Sequence, residues 1–198
     1  MPNPIDRLSE YIHLSDELLS LLHSVTIEKH FKRGDTIEVD PETLPQTYFV
    51  RKGSARAFYI RNGRERTYSF AFDDEIVATP ITLLKIPDTI MCIEFLEPTD
   101  MIIVPRQDVR KIMEQHNKAH SIELAFYFLN LLFDNTMRLE ERLLMFQLMN
   151  ATERYHWFVT TYPTVTERAT LTQIASYLGI AKETLYRIRS GKYINDND

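Results

Sequence analysis

The chain is poor in the residues on which several common kinds of protein depend. It has a single cysteine, Cys92, which excludes a disulfide framework within the chain and any four-cysteine metal cluster. No run approaches the roughly 20 consecutive apolar residues of a membrane-spanning helix. The first residues have neither the basic region nor the apolar region of a secretory signal. We therefore expect a cytoplasmic protein.

Glycine and proline are also scarce, and their distribution divides the chain. Neither occurs between Arg106 and Tyr162, whereas most of the prolines precede Arg106. A stretch without these residues favours helix, and closely spaced turn residues favour short strands. The net charge of −5 argues against indiscriminate binding to nucleic acid, but it permits a compact basic surface.

The part of the chain before Arg106 predicts a short helix followed by strands. Residues 5–24 have helical periodicity, with Ser15 near a plausible N-cap. Asn62-Gly63 is a strong hairpin signal, and a helix-like interruption is expected at residues 79–84. Strands are expected at residues 27–31, 36–39, 47–51, 54–60, 66–72, 90–95 and 101–104. Seven short strands at this spacing predict an antiparallel, jelly-roll-like β-roll of roughly 90 residues.

After Pro105 the pattern predicts a short helix at residues 106–115 and a long one over about residues 118–150. Apolar or small residues then recur at alternating steps of three and four, which is typical of a coiled-coil seam between two chains. The predicted dimer interface contains Ile122, Ala125, Leu129, Leu132, Thr136, Leu139 and Leu143, and the same steps continue to Phe146. Phe126 and Phe133 lie beside this seam, where we expect them to cover the β-roll. A buried helix of a monomer would have similar periodicity.

Near the C-terminus, two short amphipathic segments flank Gly179, a residue suited to a sharp turn after a helix. Their apolar positions share one face of each predicted helix, and these positions are Ile174, Ala175, Leu178, Leu185 and Ile188. This spacing predicts a helix-turn-helix whose second helix enters the DNA major groove. A simple helical hairpin with a structural role would share part of the pattern.

The second segment also carries a local excess of positive charge in an acidic chain. Lys182, Arg187, Arg189 and Lys192 stand against one acid, Glu183. The residues expected at the DNA interface are Thr172, Lys182, Glu183, Tyr186, Arg187, Arg189 and Lys192.

The order of these elements resembles the Crp/Fnr family of bacterial transcription regulators over essentially the whole chain. The segment FKRGDTIEVDPETLPQTYFVRKGSARAFY is similar to the first strands of the family's cyclic-nucleotide-binding-like domain, and IASYLGIAKETLYRIR is similar to its helix-turn-helix. The resemblance implies an α+β fold with a sensor domain at residues 1–117, a dimerisation helix at 118–150 and a DNA-binding domain at 151–198. It also implies that Lys182 and Arg187 contact guanine edges or phosphates and that Glu183 accepts from cytosine.

The chain departs from the family pattern at three places. The family often continues into a β-wing, but only eight residues follow Ser190. Tyr186 replaces a residue that is usually small, so it either packs on the DNA backbone or leans on its own domain. Family members that bind a cyclic nucleotide hold its phosphate with a Gly-Glu pair and a following Arg-Ser or Arg-Thr pair. In this chain Ala78-Thr79 stands at the first position and Thr89-Ile90 at the second, and no arginine occurs between Arg66 and Arg106. Cyclic AMP is therefore not expected to bind in the family's manner.

The β-roll instead binds another small-molecule effector or serves as a scaffold. The residues expected around an effector pocket are Arg56, Tyr59, Thr79, Thr82 and Met91, although each has an ordinary structural role as an alternative. No cofactor or metal is expected, because no histidine lies between Tyr48 and Val104, where a cupin enzyme would need clustered ligands. We expect a homodimeric, non-enzymatic regulator that binds double-stranded DNA at a pseudo-palindrome. The alternative is a small-molecule-binding β-roll whose C-terminal hairpin contacts another protein.

Overall fold

The computed structural model describes residues 15–39, 46–77, 88–115 and 118–192. The first half of the predicted first helix, the predicted interruption at 79–84, and the positions Thr79 and Thr82 therefore lie outside the described residues. The fold is α+β, with antiparallel strands in two sheets followed by a long helix and a C-terminal group of short helices.

The β-roll contains two four-stranded antiparallel sheets. The first has the order β1-β8-β3-β6 and the second has the order β2-β7-β4-β5. The strands are β1 Ile27–Phe31, β2 Thr36–Glu38, β3 Gln46–Lys52, β4 Ala55–Arg61, β5 Arg64–Ala71, β6 Glu75–Ile76, β7 Thr89–Phe95 and β8 Thr99–Pro105. The seven expected strands are all present, and the two-residue β6 is an eighth that the sequence did not signal.

Strand alternation separates an inner face from an outer face in each sheet. The interior of the roll contains Ala55 and Ala57 of β4 with Ile93 and Phe95 of β7, packed against apolar residues of the other sheet such as Met101. The opposite face of the first sheet packs against three helices. These are α1 Asp16–Val25, α2 Arg106–Gln115 and the beginning of α3 Lys118–Leu148.

The first described helix begins after Ser15, as expected, but Ser15 does not cap it with its side chain. The Ser15 hydroxyl instead donates to the Glu123 carboxylate at 3.3 Å, which ties the start of α1 to α3.

The long helix α3 has the expected extent but is only partly covered by its own chain. Leu124 is fully buried against the β-roll, and Met145 is fully buried among the C-terminal helices. The prediction for Phe126 and Phe133 was wrong: they are 57% and 63% exposed and do not cover the β-roll. Their side of α3 turns away from the sheets, because Leu124 occupies the face that contacts them.

Four helices follow α3: α4 Ala151–Thr161, α5 Val165–Arg168, α6 Leu171–Leu178 and α7 Lys182–Arg189. Asn150 accepts hydrogen bonds from the first turn of α4, and Glu153 completes a capping box. These helices enclose Phe158, Val165 and Leu185 in a core that also includes Phe70 and Phe72 of the β-roll. The C-terminal helices and the second sheet therefore share one apolar core.

Candidate nucleic-acid interface

The helices α6 and α7 form a compact pair with defined ends. Thr170 accepts from the Gln173 backbone N–H, and the Gln173 side chain accepts from the Thr170 N–H, so α6 begins with a capping box. Gly179 ends α6 with a φ of 67°, the left-handed conformation that glycine adopts most readily. A Cβ atom at Gly179 would lie 2.7 Å from the Phe146 ring, so the turn also needs a residue without a side chain.

The predicted inner faces of both helices are buried. Ile174, Leu178 and Leu185 are fully inaccessible, and Ala175 and Ile188 are less than one-tenth exposed. The period-3.6 pattern of the sequence therefore identified the packed faces correctly.

The outer face of α7 carries the polar residues expected there. Lys182, Glu183, Arg187 and Arg189 are exposed, and Tyr186 is 65% exposed. Lys192 follows the helix and is exposed, as is Thr172 on α6. The Arg189 and Arg187 guanidinium groups lie in the last turn of α7 and Glu183 in the first, which suits the helix dipole. The result is an exposed helix with three cationic side chains and one carboxylate.

Hydrogen bonds fix α6 to the second sheet. The Thr67 backbone N–H donates to the Ser176 hydroxyl at 2.9 Å, and the Gln173 side-chain amide donates to Glu94 at 3.2 Å. The same oxygen of Glu94 accepts from Arg56, which is 5% exposed and also pairs with Glu65. A buried arginine needs such partners, since removing an unpaired charge from water is costly. The group Gln173, Glu94, Arg56 and Glu65 forms a polar contact between α6 and the β-roll.

Arg142 of α3 connects the same two parts of the chain. Its guanidinium group donates to the backbone carbonyls of Tyr68 and Thr67 in β5 and to that of Tyr177 in α6. The guanidinium carbon lies 4.4 Å from the centroid of the Tyr177 ring, a favourable cation–π distance. Burial raises the pKa of Tyr177, so its hydroxyl stays protonated. One side chain thus links the long helix, the sheet and the helix pair.

A third polar contact joins Arg168 of α5 to the turn before β4 and to the turn after β5. Arg168 donates to the Asp73 carboxylate at 2.7 Å and to the Gly53 carbonyl at 3.2 Å. Burial opposes ionisation of Asp73, but hydrogen bonds from the Gly53 N–H and from Arg168 outweigh it and lower the Asp73 pKa below its ordinary value. Asp73 is therefore a charged anchor for the C-terminal helices.

These cross-contacts were not predicted from the sequence. Arg56 stands between two alanines in a strand, a position that does not by itself reveal its burial, and its partners Glu94 and Glu65 are distant in sequence. For Gln173 and Arg142 the sequence indicated only that they lie in helices, and it gave no indication of their partners. Only the tertiary arrangement brings these groups together.

Three residues of the expected effector pocket are described, and the structure separates one of them, Arg56, from the other two. Tyr59 and Met91 are directly paired across β4 and β7, on the inner face of the second sheet. Arg56 lies on the opposite, outer face, because its neighbours Ala55 and Ala57 point into the interior. The placement of Arg56 in that pocket was therefore wrong: it serves the contact with α6.

The seven residues of the expected dimer seam share an exposed side of α3. Ile122, Leu129 and Leu143 are each more than half exposed, and Ala125, Leu132, Thr136 and Leu139 are exposed as well. An exposed apolar surface of this length is unusual for a monomer.

Within the described ranges, no set of three or more histidine, cysteine, aspartate or glutamate residues is close enough together to hold a metal ion. Over the same ranges, no helix is both long and apolar enough to cross a membrane.

Comparison with known proteins gives a consistent result for the fold. No family model and no curated protein sequence matches the chain. Among solved structures, FixK2 from Bradyrhizobium japonicum is 18% identical, with a TM-score of 0.64 over 84% of each chain. A protein from Eubacterium rectale described as a transcriptional regulator of the Crp/Fnr family is 21% identical, with a TM-score of 0.60 over 90% of this chain and 83% of its own.

CLP from Xanthomonas campestris, a c-di-GMP-responsive global regulator, is 12% identical, with a TM-score of 0.65 over 89% of this chain and 91% of its own. Each of these matches covers more than four-fifths of both chains. The chain therefore has the fold of the solved Crp/Fnr transcription regulators.

Proposed function

We propose that this chain is a homodimeric, sequence-specific DNA-binding regulator of transcription of the Crp/Fnr type, and not an enzyme. The observation that carries the proposal is the outer face of α7. Its cationic side chains are exposed while its apolar side is fully packed, so the helix presents a rigid basic surface in an acidic protein. Such a surface suits the phosphates and base edges of a major groove.

Individual residues then take different parts in recognition. Lys182 and Arg187 contact guanine edges or phosphates, and Glu183 accepts a hydrogen bond from cytosine N4. Tyr186 is exposed enough to pack on the sugar-phosphate backbone. The remaining expected contacts, which position the protein on the duplex, come from Thr172, Arg189 and Lys192.

Dimerisation through α3 would give two copies of α7 related by a two-fold axis. The exposed apolar seam of α3 supports this arrangement, because pairing two such helices buries both seams at once. Two recognition helices about 34 Å apart would then read a pseudo-palindrome. In this proposal residues 1–117 form the sensor-like domain, 118–150 the dimerisation helix and 151–198 the DNA-binding domain.

The contacts of Gln173, Arg142 and Arg168 with the β-roll bear on how the regulator is controlled. An effector that displaced the second sheet would also displace α6, because hydrogen bonds from Thr67 to Ser176 and from Gln173 to Glu94 join them directly. Cyclic AMP is not proposed as this effector, since no arginine lies between Arg66 and Arg106 to hold its phosphate.

Fluorescence anisotropy with labelled duplex DNA over a salt series tests the proposal. Affinity should fall steeply as salt rises, because each phosphate contact releases counterions. The matched control is the double variant Lys29→Gln/Lys32→Gln, which removes two exposed charges of the β-roll far along the chain from α7. The double variant Lys182→Gln/Arg187→Gln should bind more weakly and with a shallower slope, while the control should not. A protein that fails to bind DNA at low salt would favour the alternative, in which the helix pair contacts another protein.

A further inference from the structure

The hairpin of β4 and β5 carries a second cationic surface, separate from α7. A cavity of about 490 Å³ is lined by Tyr59, Arg61, Asn62, Arg64 and Arg66. This volume lies within the range of small-molecule binding pockets, roughly 300–1,000 Å³. Three of its five lining residues are arginines.

The antiparallel register explains why these side chains converge. Tyr59 is paired directly with Arg66, and Arg61 is paired directly with Arg64. Directly opposed residues project from the same face of a sheet, and residues two apart on a strand do so as well. All four therefore lie on the inner face of the second sheet, at the end of the roll formed by the hairpin.

The hairpin's only acidic residue does not neutralise this group. Glu65 lies between Arg64 and Arg66, so alternation turns it to the outer face, where it pairs with Arg56 at 2.6 Å. Within the described part of the chain, no carboxylate lies within ion-pair distance of Arg61, Arg64 or Arg66. Three neighbouring guanidinium groups without a counter-charge create a positive potential that attracts anions.

A further polar group adjoins the three arginines. Thr89 of β7 is paired directly with Arg61, so its side chain belongs to the same face. Its hydroxyl oxygen is buried and has no hydrogen-bond partner among the described residues. Thr89 does not itself line the cavity, but a buried hydroxyl without a partner is uncommon, and this one lies beside Arg61.

We propose that this cavity binds a small ligand carrying two or more phosphate groups, with Arg61, Arg64 and Arg66 as its phosphate-binding residues. Guanidinium groups match phosphate oxygens in geometry and charge, and three of them suit more than one phosphate. The Tyr59 ring offers a surface for an aromatic base, which makes a nucleoside polyphosphate the best-fitting class. The site is independent of the DNA-binding proposal, because it shares no residue with α7.

Isothermal titration calorimetry on the full chain without DNA provides the test, with pyrophosphate, adenosine triphosphate and adenosine as probes. Both phosphate probes should bind, adenosine should not, and adenosine triphosphate should bind more tightly if its base packs on Tyr59. The triple variant Arg61→Gln/Arg64→Gln/Arg66→Gln should weaken binding by about 1,000-fold, since each of the three lost charge-assisted contacts costs about tenfold.

Two control variants make the result specific. Lys32→Gln/Arg33→Gln/Lys52→Gln removes the same number of exposed charges from the β-roll outside the cavity, and it should change affinity by about twofold at most. Lys182→Gln/Arg187→Gln should retain full affinity for the phosphate probes, which separates this site from the proposed DNA interface.

Three results would overturn the proposal. The first is no binding of either phosphate probe by the wild-type chain. The second is equal weakening by the hairpin variant and by its charge-matched control, which would indicate nonspecific attraction. The third is a hairpin variant that leaves probe binding unchanged but makes DNA binding less salt-dependent, which would assign the three arginines to the DNA backbone instead.

Discussion

Replacing Leu129 with alanine should weaken the proposed dimer without unfolding the chain. Leu129 is 59% exposed in the single chain and lies in the middle of the apolar seam of α3. Full burial of a leucine side chain contributes about 1.5–3 kcal/mol, so covering the exposed part contributes about 1–2 kcal/mol in each chain. Both chains of the dimer lose the contribution of Leu129, although the alanine side chain keeps part of the contact. The dimerisation free energy should therefore fall by about 2–3 kcal/mol, or about 30- to 160-fold in Kd.

Sedimentation equilibrium over a concentration series measures this change directly. The matched control is Leu148→Ala on the same helix, because Leu148 is 74% exposed but lies outside the three- and four-residue steps of the seam. Alanine favours helix at both positions, so circular dichroism should show unchanged helix content. The control should alter dimerisation by no more than about 0.5 kcal/mol. A wild-type chain that stays monomeric, or equal effects of the two substitutions, would refute the proposed seam.

Three further predictions concern the helix pair and its attachment. Arg187→Ala should weaken specific DNA binding by about 1–3 kcal/mol in an anisotropy titration, and unchanged affinity for a selected operator would remove Arg187 from the interface. Gly179→Ala should lower the free energy of unfolding in urea by about 2–4 kcal/mol, because it combines a positive φ with contact against a ring of α3. Gly63→Ala, which has a similar φ but open space around it, should cost only about 1 kcal/mol, and equal losses would show that the ring contact is unimportant. Because the Asp73 pKa is lowered in the folded protein, the stability that its charge contributes is present above the unfolded pKa and is lost as pH falls through the folded value. Asp73→Asn should therefore flatten the acid side of the stability profile, and a profile identical to that of the wild type would contradict this role.

Local periodicity was sufficient to predict most of the secondary structure. The predicted strand at residues 27–31 coincides with β1, and the predicted short helix at 106–115 coincides with α2. The buried faces of α6 and α7 also followed from spacing, because a period of 3.6 places Ile174 and Leu178 on one side. The two-residue strand β6 was missed, since its pairing with β3 depends on the tertiary fold.

The direction in which each exposed or charged residue points was harder to predict. Phe126 and Phe133 share the general face of the seam, and sequence alone could not tell which side of α3 meets the β-roll. Arg56 was expected near Tyr59, but an odd spacing along β4 places the two on opposite faces of the sheet. The partners of Arg56 are separated from it by nine and 38 residues, so no local pattern reveals them.

The exposed face of α7 was predictable because its charge is local in sequence, whereas its attachment to the β-roll was not. Gln173, Arg142 and Arg168 reach carbonyls and carboxylates more than 30 residues away. These contacts make the helix pair and the second sheet a single packed unit. A change at the sheet is therefore expected to alter the position of α7.

The most direct test of the account is selection of duplexes from a random pool, followed by hydroxyl-radical footprinting of the enriched sequence. We expect enrichment of a pseudo-palindrome with two protected regions centred about one helical turn apart, one for each copy of α7. The double variant Lys182→Gln/Arg187→Gln should abolish this enrichment. A pool that shows no enrichment with the wild-type chain, or a single protected region without two-fold symmetry, would contradict this expectation.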